Sequence, residues 1–344
     1  MRLLVAIPCL NEADTIAQVV RDVPRSMPGV IQVDVLVVDD GSTDLTSSEA
    51  TEAGALVLRH SRNLGVGKAF QAAINHAVEN GYDLMVNIDG DGQFNPQDIP
   101  KIVQPVIAGQ ADMVTASRFI NVEMTPEMSK VKLVGNHMMS HLISQMVRQN
   151  FHDVSCGFRC YSREALLQLN LHGAFTYTQE TFLDFAVKRL TIMEVPISVI
   201  YFADRKSRVA GSIIKYAVNT SKIIFRGYRD YYPLRFFWGL SAIFALPSLL
   251  LASVFFMHYL LTGIFSGYLF AGFSSAFLLL IALAFFVLGI VTDMLDRIRT
   301  NQERILYLLK KRRPRPASLS VMATEKKVED VCQCKLADLS ERTA

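Results

Sequence analysis

The sequence lacks any large imbalance of charge. Its 35 Lys and Arg offset 32 Asp and Glu, leaving a formal net charge of +3 over 344 residues. That excludes the strongly basic surface of a nucleic-acid binder, and no nucleic acid is expected as a partner. Cysteine is also sparse: Cys9, Cys156, Cys160, Cys332 and Cys334 are the only five. "CQC" near the end lacks the second pair that a zinc site needs, so no disulfide or zinc framework is expected. The opening run "LLVAIPCL" is not expected to be a secretory signal, because it has only Arg2 before it and runs directly into "NEAD". Residues 1–235 are therefore expected in the cytoplasm.

Charge is missing altogether from two stretches. Phe236 to Met257 gives 22 residues without one, and Tyr259 to Thr292 gives 34 more, with only His258 between. About 20 apolar residues cross a bilayer. Two spans are expected, roughly 236–258 and 268–292, joined by a turn around "LTGIFSGY". The alternative is a helical hairpin buried in a soluble core, but buried helices are rarely so long and so uniform. Hydrophobic residues make up 51% of the chain and the mean hydropathy is +0.26, an excess concentrated in these stretches. Lys215, Lys222, Arg226, Arg229 and Arg235 precede the spans; Arg297, Arg299, Arg304 and "KKRRPR" follow them. By the positive-inside rule both termini are cytoplasmic and residues 262–267 face outside. The expected location is an inner (plasma) membrane, crossed more than once.

The first half alternates two kinds of pattern. "RLLVAIP" reads as a strand covered on both faces, and "VDVLVV", "ALVLRH", "YDLMVNI" and "ADMVTAS" read as further strands. Between them, "NEADTIAQVVRDV", "TSSEATEAG", "GKAFQAAINHAVENG" and "PQDIPKIVQPVIAG" carry helical spacing, with Asp14 placed to cap the first. Such alternation implies an α/β fold: a mostly parallel, Rossmann-like sheet with helices on both faces. Ligands of such sheets bind at the carboxyl ends of the strands. "PCLNE", "DDGSTD", "DGDGQ" and "SRF" fall there.

Two familiar loops are excluded. An EF-hand begun at Asp89 would put Phe94 at its sixth position and Pro100 at its twelfth. In "RNLGVGKAF", Arg62 stands where a P-loop needs glycine, and Ala69 follows Lys68. Its glycines instead open a helix, where backbone N–H groups and Lys68 can meet an anion. Asp89 and Asp91 are two apart, so on an extended strand both carboxylates face one side. That suits Mg2+ or Mn2+, which take few carboxylates and leave positions open for phosphate; the plain alternative is an acidic turn. Asp39 or Asp40 either caps the next helix or bonds a nucleobase or ribose. Ser155, Gly157 and Arg159 lie before a helix. Arg205, Lys206, Arg208 and Lys215 form either a solvated basic face or a seat for phosphates. His137 and His141 are expected to be packing or surface residues.

Taken together, "IPCLNEADTI", "VVDDGSTD", "RNLGVGKA", "IDGDGQFNP", "VTASRF", "VSCGFRCYSREAL" and "RVAGSIIKY" resemble the motifs of the family 2 inverting glycosyltransferases with the GT-A fold. The likeness covers about residues 1–220. In layout it is greatest to the polyprenyl-phosphate glycosyltransferases, including dolichyl-phosphate mannose synthase and bacterial members with two C-terminal membrane helices. The resemblance implies that Pro8, Leu10, Glu12, Val38 and Asp40 line a nucleoside pocket. It puts Asp89 and Asp91 on the metal and diphosphate, Gly90 at the sugar nucleotide and Gln93 near the sugar. It assigns Arg118, Arg159 and Arg208 to phosphates of donor or acceptor, with Lys215 also at substrate; Asp91, Arg118 and Arg208 would be catalytic. The implied partners are a GDP- or UDP-linked sugar, a polyprenyl phosphate and the bilayer, and the layout also admits a homo-oligomer.

The expected division is 1–211 for the catalytic domain and 212–235 for an amphipathic interfacial segment. A membrane hairpin at 236–292 and a cytoplasmic helix with a basic tail at 293–344 complete it. In the interfacial segment Ile213, Ile214, Ala217, Val218, Ile224 and Phe225 would dip into the headgroups. Two rival functions remain at this level. A processive polysaccharide synthase would carry Q-x-x-R-W, which is absent around Trp238, the only tryptophan. A non-catalytic nucleotide-binding membrane scaffold would not turn over a nucleotide sugar.

Overall fold

The computed structural model describes residues 1–120, 130–171, 177–200 and 232–312, together with 221, 225, 228 and 229. One sheet of seven strands organises the first two hundred residues. Its strands are β1 (Arg2–Cys9), β2 (Gln32–Asp39), β3 (Leu56–Arg59), β4 (Leu84–Asn87), β5 (Met113–Ser117), β6 (Arg159–Ser162) and β7 (Ile192–Pro196). They lie in the order β3-β2-β1-β4-β6-β5-β7. All neighbours are parallel except β6, which runs antiparallel to both β4 and β5. The expected parallel, doubly covered sheet is present, with one reversed strand added.

Continuous apolar runs explain the central strands. Along β1, Leu3, Val5 and Ile7 face a layer formed with Ile16, Val19 and Val20 of α1 (Ala13–Asp22) and Ile99, Ile102 and Val103 of α4 (Ile99–Ile107). Leu4 and Ala6 face the other layer, with Phe70, Ala73 and Ile74 of α3 (Val66–Glu79). Each buried aliphatic side chain contributes about 1.5–3 kcal/mol, so a strand with seven of eight residues buried is fixed in register by its own sequence. α2 (Thr46–Glu52) links β2 to β3. α5 (Lys130–Val147), α6 (Arg163–Gln168) and α7 (Thr178–Lys188) complete the second layer, with Leu166, Phe182 and Phe185 in its core.

One local expectation is corrected. Asp14 does not cap α1: it lies within the first turn, and Glu12 holds the cap position without a side-chain bond. The loop that enters α3 is already held by a carboxylate of the protein. Asp40 accepts hydrogen bonds from the amides of Leu64 (2.9 Å) and Gly65 (2.8 Å), while Lys68 is exposed.

The apolar stretches form two helices, α8 (Pro233–Thr262) and α9 (Leu269–Arg312), packed against each other. Both are long and apolar enough to cross a membrane. Each outruns its charge-free window, because Lys, Arg and Glu are good helix formers and do not end a helix. Gly263, at φ +70°, terminates α8. The expected boundary at 292/293 falls inside α9, which continues unbroken to Arg312. The tail after 312, with Cys332 and Cys334, lies outside the described residues.

Candidate active site

The strand register brings the predicted motifs to one edge of the sheet. Pro8 pairs with Val38 and Cys9 with Asp39 at the carboxyl ends of β1 and β2. Ala6 pairs with Asn87, and Asn87 in turn with Arg159. Because β6 is reversed, its first residue stands at the same edge as the last residues of β4.

Hydrogen bonds tie three loops together there. Asn11 adopts the left-handed conformation (φ +53°), and its side-chain oxygen accepts from the Thr43 amide at 2.8 Å. The Asn11 and Glu12 amides donate to the hydroxyls of Ser42 (2.9 Å) and Thr46 (2.8 Å). Thr15 donates to the carbonyl of Gly90 at 2.8 Å. Asparagine tolerates this backbone better than most side chains, which accounts for its place in "LNE".

Asp89 and Asp91 lie in a turn beyond β4, not on the strand itself. Both are half-buried. Burial and the neighbouring charge of Asp91 push the Asp89 carboxyl up to about 7, against the pull of Arg118 and Arg159. Two carboxylates held in mutual repulsion favour an added positive charge. Among the described residues, no third His, Cys, Asp or Glu joins them in a cluster. The Asp91 carboxylate also accepts from the Gln93 amide at 3.0 Å, and the Gln93 carbonyl accepts from the Ile200 amide at 3.0 Å.

A floor of neutral groups supports Asp89. Asn87 is fully buried and donates to the Gly157 carbonyl (2.9 Å) and to the Tyr177 hydroxyl (2.7 Å). The Tyr177 ring stacks on Phe70 at 3.9 Å between centroids. Burial, then the charge of Asp89, holds the Tyr177 hydroxyl protonated far above its ordinary range. Gly157 fits between these groups: a Cβ there would stand 3.1 Å from both an Asp89 oxygen and the Tyr177 hydroxyl. The glycine is required by close approach.

Arg118, at the end of β5, is held by a fork. Its Nε donates to Asp153 at 2.6 Å, and its Nη2 donates to Asp153 at 2.9 Å and to the Ser155 hydroxyl at 2.7 Å. Burial alone would raise the Asp153 carboxyl; the Arg118 guanidinium and the Ser155 hydroxyl outweigh it and hold it below the usual range. Bidentate pairing fixes the guanidinium plane beside Asp89, whose ionised form it favours.

Several expected binding residues are turned to other uses. Arg159 is fully buried and donates to the carbonyls of Val154 (3.1 Å), Cys156 (2.9 Å) and Thr178 (2.9 Å), with its guanidinium 4.8 Å from the Phe182 ring centre. It underlies the site and is not presented to a ligand. Asp40 accepts from His60 Nδ1 at 2.8 Å as well as from the α3 loop. Gly90 is buried, and a Cβ there would meet Cys9 Sγ at 3.1 Å, so packing requires its smallness. Pro8 and Val38 are buried, while Leu10 and Glu12 are half-buried beside the linked loops. Arg205, Lys206, Arg208 and Lys215 lie outside the described residues. His137 and His141 are exposed on α5, as expected of surface residues. Burial pushes the Cys9, Cys156 and Cys160 thiols up, Cys156 to about 12, which suits packing rather than reaction. Sequence reasoning missed Asn87, Asp153 and Tyr177, although Asn87 directly precedes the "IDGD" run.

Comparison with known proteins decides what this arrangement belongs to. Residues 4–169 match the model of glycosyl transferase family 2. A UDP-N-acetylglucosamine--dolichyl-phosphate N-acetylglucosaminyltransferase from Methanococcus voltae is 31% identical over 215 residues, covering 57% of this chain and 84% of that one. The chain belongs to glycosyl transferase family 2. Other relatives of this glycosyltransferase include a polyprenol monophosphomannose synthase from Mycolicibacterium smegmatis, 28% identical, covering 63% of this chain and 84% of the relative. An undecaprenyl-phosphate mannosyltransferase from Micrococcus luteus is also 28% identical, with 63% and 91% covered. The catalytic fold of glucosyl-3-phosphoglycerate synthase from Mycobacterium tuberculosis superposes with a TM-score of 0.53 at 22% identity, over 65% of this chain and 79% of that one. At that identity the likeness concerns the fold, which is GT-A.

Proposed function

We propose that this glycosyltransferase moves a sugar from a nucleoside-diphosphate sugar to a polyprenyl phosphate at a membrane surface. It releases a nucleoside diphosphate and inverts the anomeric centre. The observation that carries the reading is one sheet edge, on a family 2 scaffold joined to two membrane-length helices. Along that edge stand a turn with two carboxylates, an arginine locked beside them and linked loops at the ends of β1 and β2. The relatives named above, with dolichyl-phosphate, polyprenol or undecaprenyl-phosphate in their names, support the choice of acceptor.

Asp89 and Asp91 would hold Mg2+ or Mn2+. Their oxygens, the mutual repulsion and the absence of a third clustered ligand among the described residues fit an ion that keeps positions for phosphate oxygens and water. The mycobacterial synthase of like fold was solved with Mn2+ and UDP together. When bound, such an ion supplies Lewis-acid stabilisation of a leaving diphosphate. The chain's own residues orient and exclude. Asn87, Gly157 and Tyr177 fix Asp89 from below, and Asp153 fixes Arg118 so that its charge is preorganised rather than mobile. Arg208 and Lys215 are assigned to phosphates on the basis of their motif.

The nucleophile would bring its own charge. A phosphate monoester has a second pKa of about 6, so it is largely dianionic at neutral pH and needs no general base. Among the described residues, two His–carboxylate pairs form, His60–Asp40 and His152–Glu194, each at 2.8 Å. Both brace loops: Asp40 also holds the α3 entry, and Glu194 also accepts from the amides of His152 and Asp153. With such pairs engaged elsewhere, an acceptor that ionises by itself is the consistent choice.

Asp89→Asn and Asp91→Asn test the reading. Each is expected to abolish transfer to polyprenyl phosphate in membranes while the melting temperature of the protein stays within a few degrees of wild type. A chelator should silence the wild type, and Mg2+ or Mn2+ should restore it. Full transfer by Asp91→Asn would remove the two-carboxylate site.

A further inference from the structure

The second apolar helix does not end where its apolar stretch ends. From Asp293 to Arg312 it continues for 20 residues, which at 1.5 Å each is about 30 Å beyond the apolar part. This extension returns to the catalytic domain. Glu303 pairs with Lys188 at 3.2 Å, and Lys188 pairs with Asp184 at 2.8 Å, both on α7. The Tyr307 hydroxyl donates to Glu164 of α6 at 3.2 Å, and Tyr307 packs against the core layer that α6 and α7 share.

Lys310 completes the contact. Its ammonium donates to the carbonyls of Leu167 (3.5 Å) and Leu169 (3.3 Å) and to the Asn170 side-chain oxygen (3.1 Å). Those carbonyls end α6, where backbone acceptors lack helical partners and a cation is favoured. Burial, then the charge of Lys188, lowers the Lys310 pKa, the mark of an ammonium drawn out of water to reach them. The docked residues bracket a functional segment. Leu169 and Asn170 come shortly before Tyr177, which stands under Asp89, and Lys188 ends the helix that Tyr177 starts.

We infer that the 293–312 end of α9 is a positioning element, with Glu303, Tyr307 and Lys310 as positioning residues that hold the active site at a set height and tilt over the bilayer for a lipid-borne acceptor. The inference rests on the polyprenyl-phosphate reading. A helix rigid from membrane to catalytic domain constrains where the site can meet a headgroup; a chain link alone would not. None of the three residues touches the Asp89 edge, so their loss should spare the chemistry for an acceptor that diffuses freely.

The test uses the full chain carrying Tyr307→Phe with Lys310→Met, and separately Lys310→Arg, which keeps the charge. Hydrogen exchange first reports docking. Removing a hydrogen bond to a charged group should speed exchange of the 165–170 amides about tenfold in the double variant, and Lys310→Arg should retain most of the protection. Transfer is then measured with undecaprenyl phosphate in phospholipid vesicles and with a short, water-soluble polyprenyl phosphate.

The double variant should raise KM for the vesicle-borne acceptor severalfold, while KM for the nucleotide sugar and kcat with the soluble acceptor stay at wild-type values. Unchanged exchange would overturn the docking. Faster exchange with an unchanged vesicle KM, or equal losses with both acceptors, would overturn the positioning role. A wild-type protein that uses neither acceptor would overturn the acceptor reading and the positioning role with it, leaving exchange to judge docking alone.

Discussion

Adding one methyl group at Gly157 should stop the enzyme without unfolding it. The new Cβ would stand 3.1 Å from an Asp89 oxygen, 3.3 Å from the other, and 3.1 Å from the Tyr177 hydroxyl. Each contact is a few tenths of an ångström too short, so a neighbour must retreat. Tyr177 has little room: its hydroxyl is held by Asn87 at 2.7 Å and its ring is stacked on Phe70 at 3.9 Å. Asp89 is the group that can turn. Overpacking of this kind costs about 1–3 kcal/mol of stability, a loss a domain of this size survives. A carboxylate displaced by up to about 1 Å at a reacting centre costs on the order of 100-fold in rate. Thermal melting and initial transfer rates on the same Gly157→Ala preparation separate the two. A small drop in melting temperature with a rate reduced about 100-fold is expected. A wild-type rate would refute the claim that Gly157, Asn87 and Tyr177 fix Asp89.

Arg159→Met should behave as a core lesion: its three carbonyl acceptors would be left unpaired, costing about 3 kcal/mol or more by denaturant melts. An acceptor-specific kinetic defect with full stability would restore Arg159 to the substrate. Asp153→Asn removes the buried carboxylate that pairs with Arg118 and should destabilise by about 3 kcal/mol. Because the folded Asp153 carboxyl lies below its unfolded value of 3.8, its contribution is complete above about pH 4 and lost as pH falls through the folded value. Wild type should therefore lose stability faster than Asp153→Asn on acidification below pH 4, and parallel acid curves would contradict the pairing. Reporter fusions at residue 1 and after residue 314 should both read cytoplasmic, and one outside reading would sink the two-span topology.

The parts of the fold that were legible in sequence were those with a single physical signal. β1 to β5 are apolar-rich runs between helical periods, and α8 and α9 contain long windows without charge. β6 and β7, "RCYS" and "IMEVP", offered neither. A strand that opens on a buried arginine contradicts hydropathy, and only the tertiary carbonyls around Arg159 make it affordable. The same limit applies to the site. Asp89 and Asp91 announce themselves by spacing, but their supports lie far along the chain: Asp153 is 35 residues from Arg118, and Tyr177 is 90 from Asn87. Local pattern carries no information about such pairs. It also gives no sign that the Asp40 oxygens are engaged by His60 and the α3 loop.

The most direct test of the central claim is to identify both products of one reaction. Purified full-length protein would be given undecaprenyl phosphate, a divalent cation and a panel of nucleotide sugars labelled in the sugar. The account predicts that, with at least one donor, label appears in a lipid joined to sugar through a single phosphate, matched one for one by a nucleoside diphosphate. A labelled polymer, or a nucleoside monophosphate beside a lipid diphosphate sugar, would contradict it.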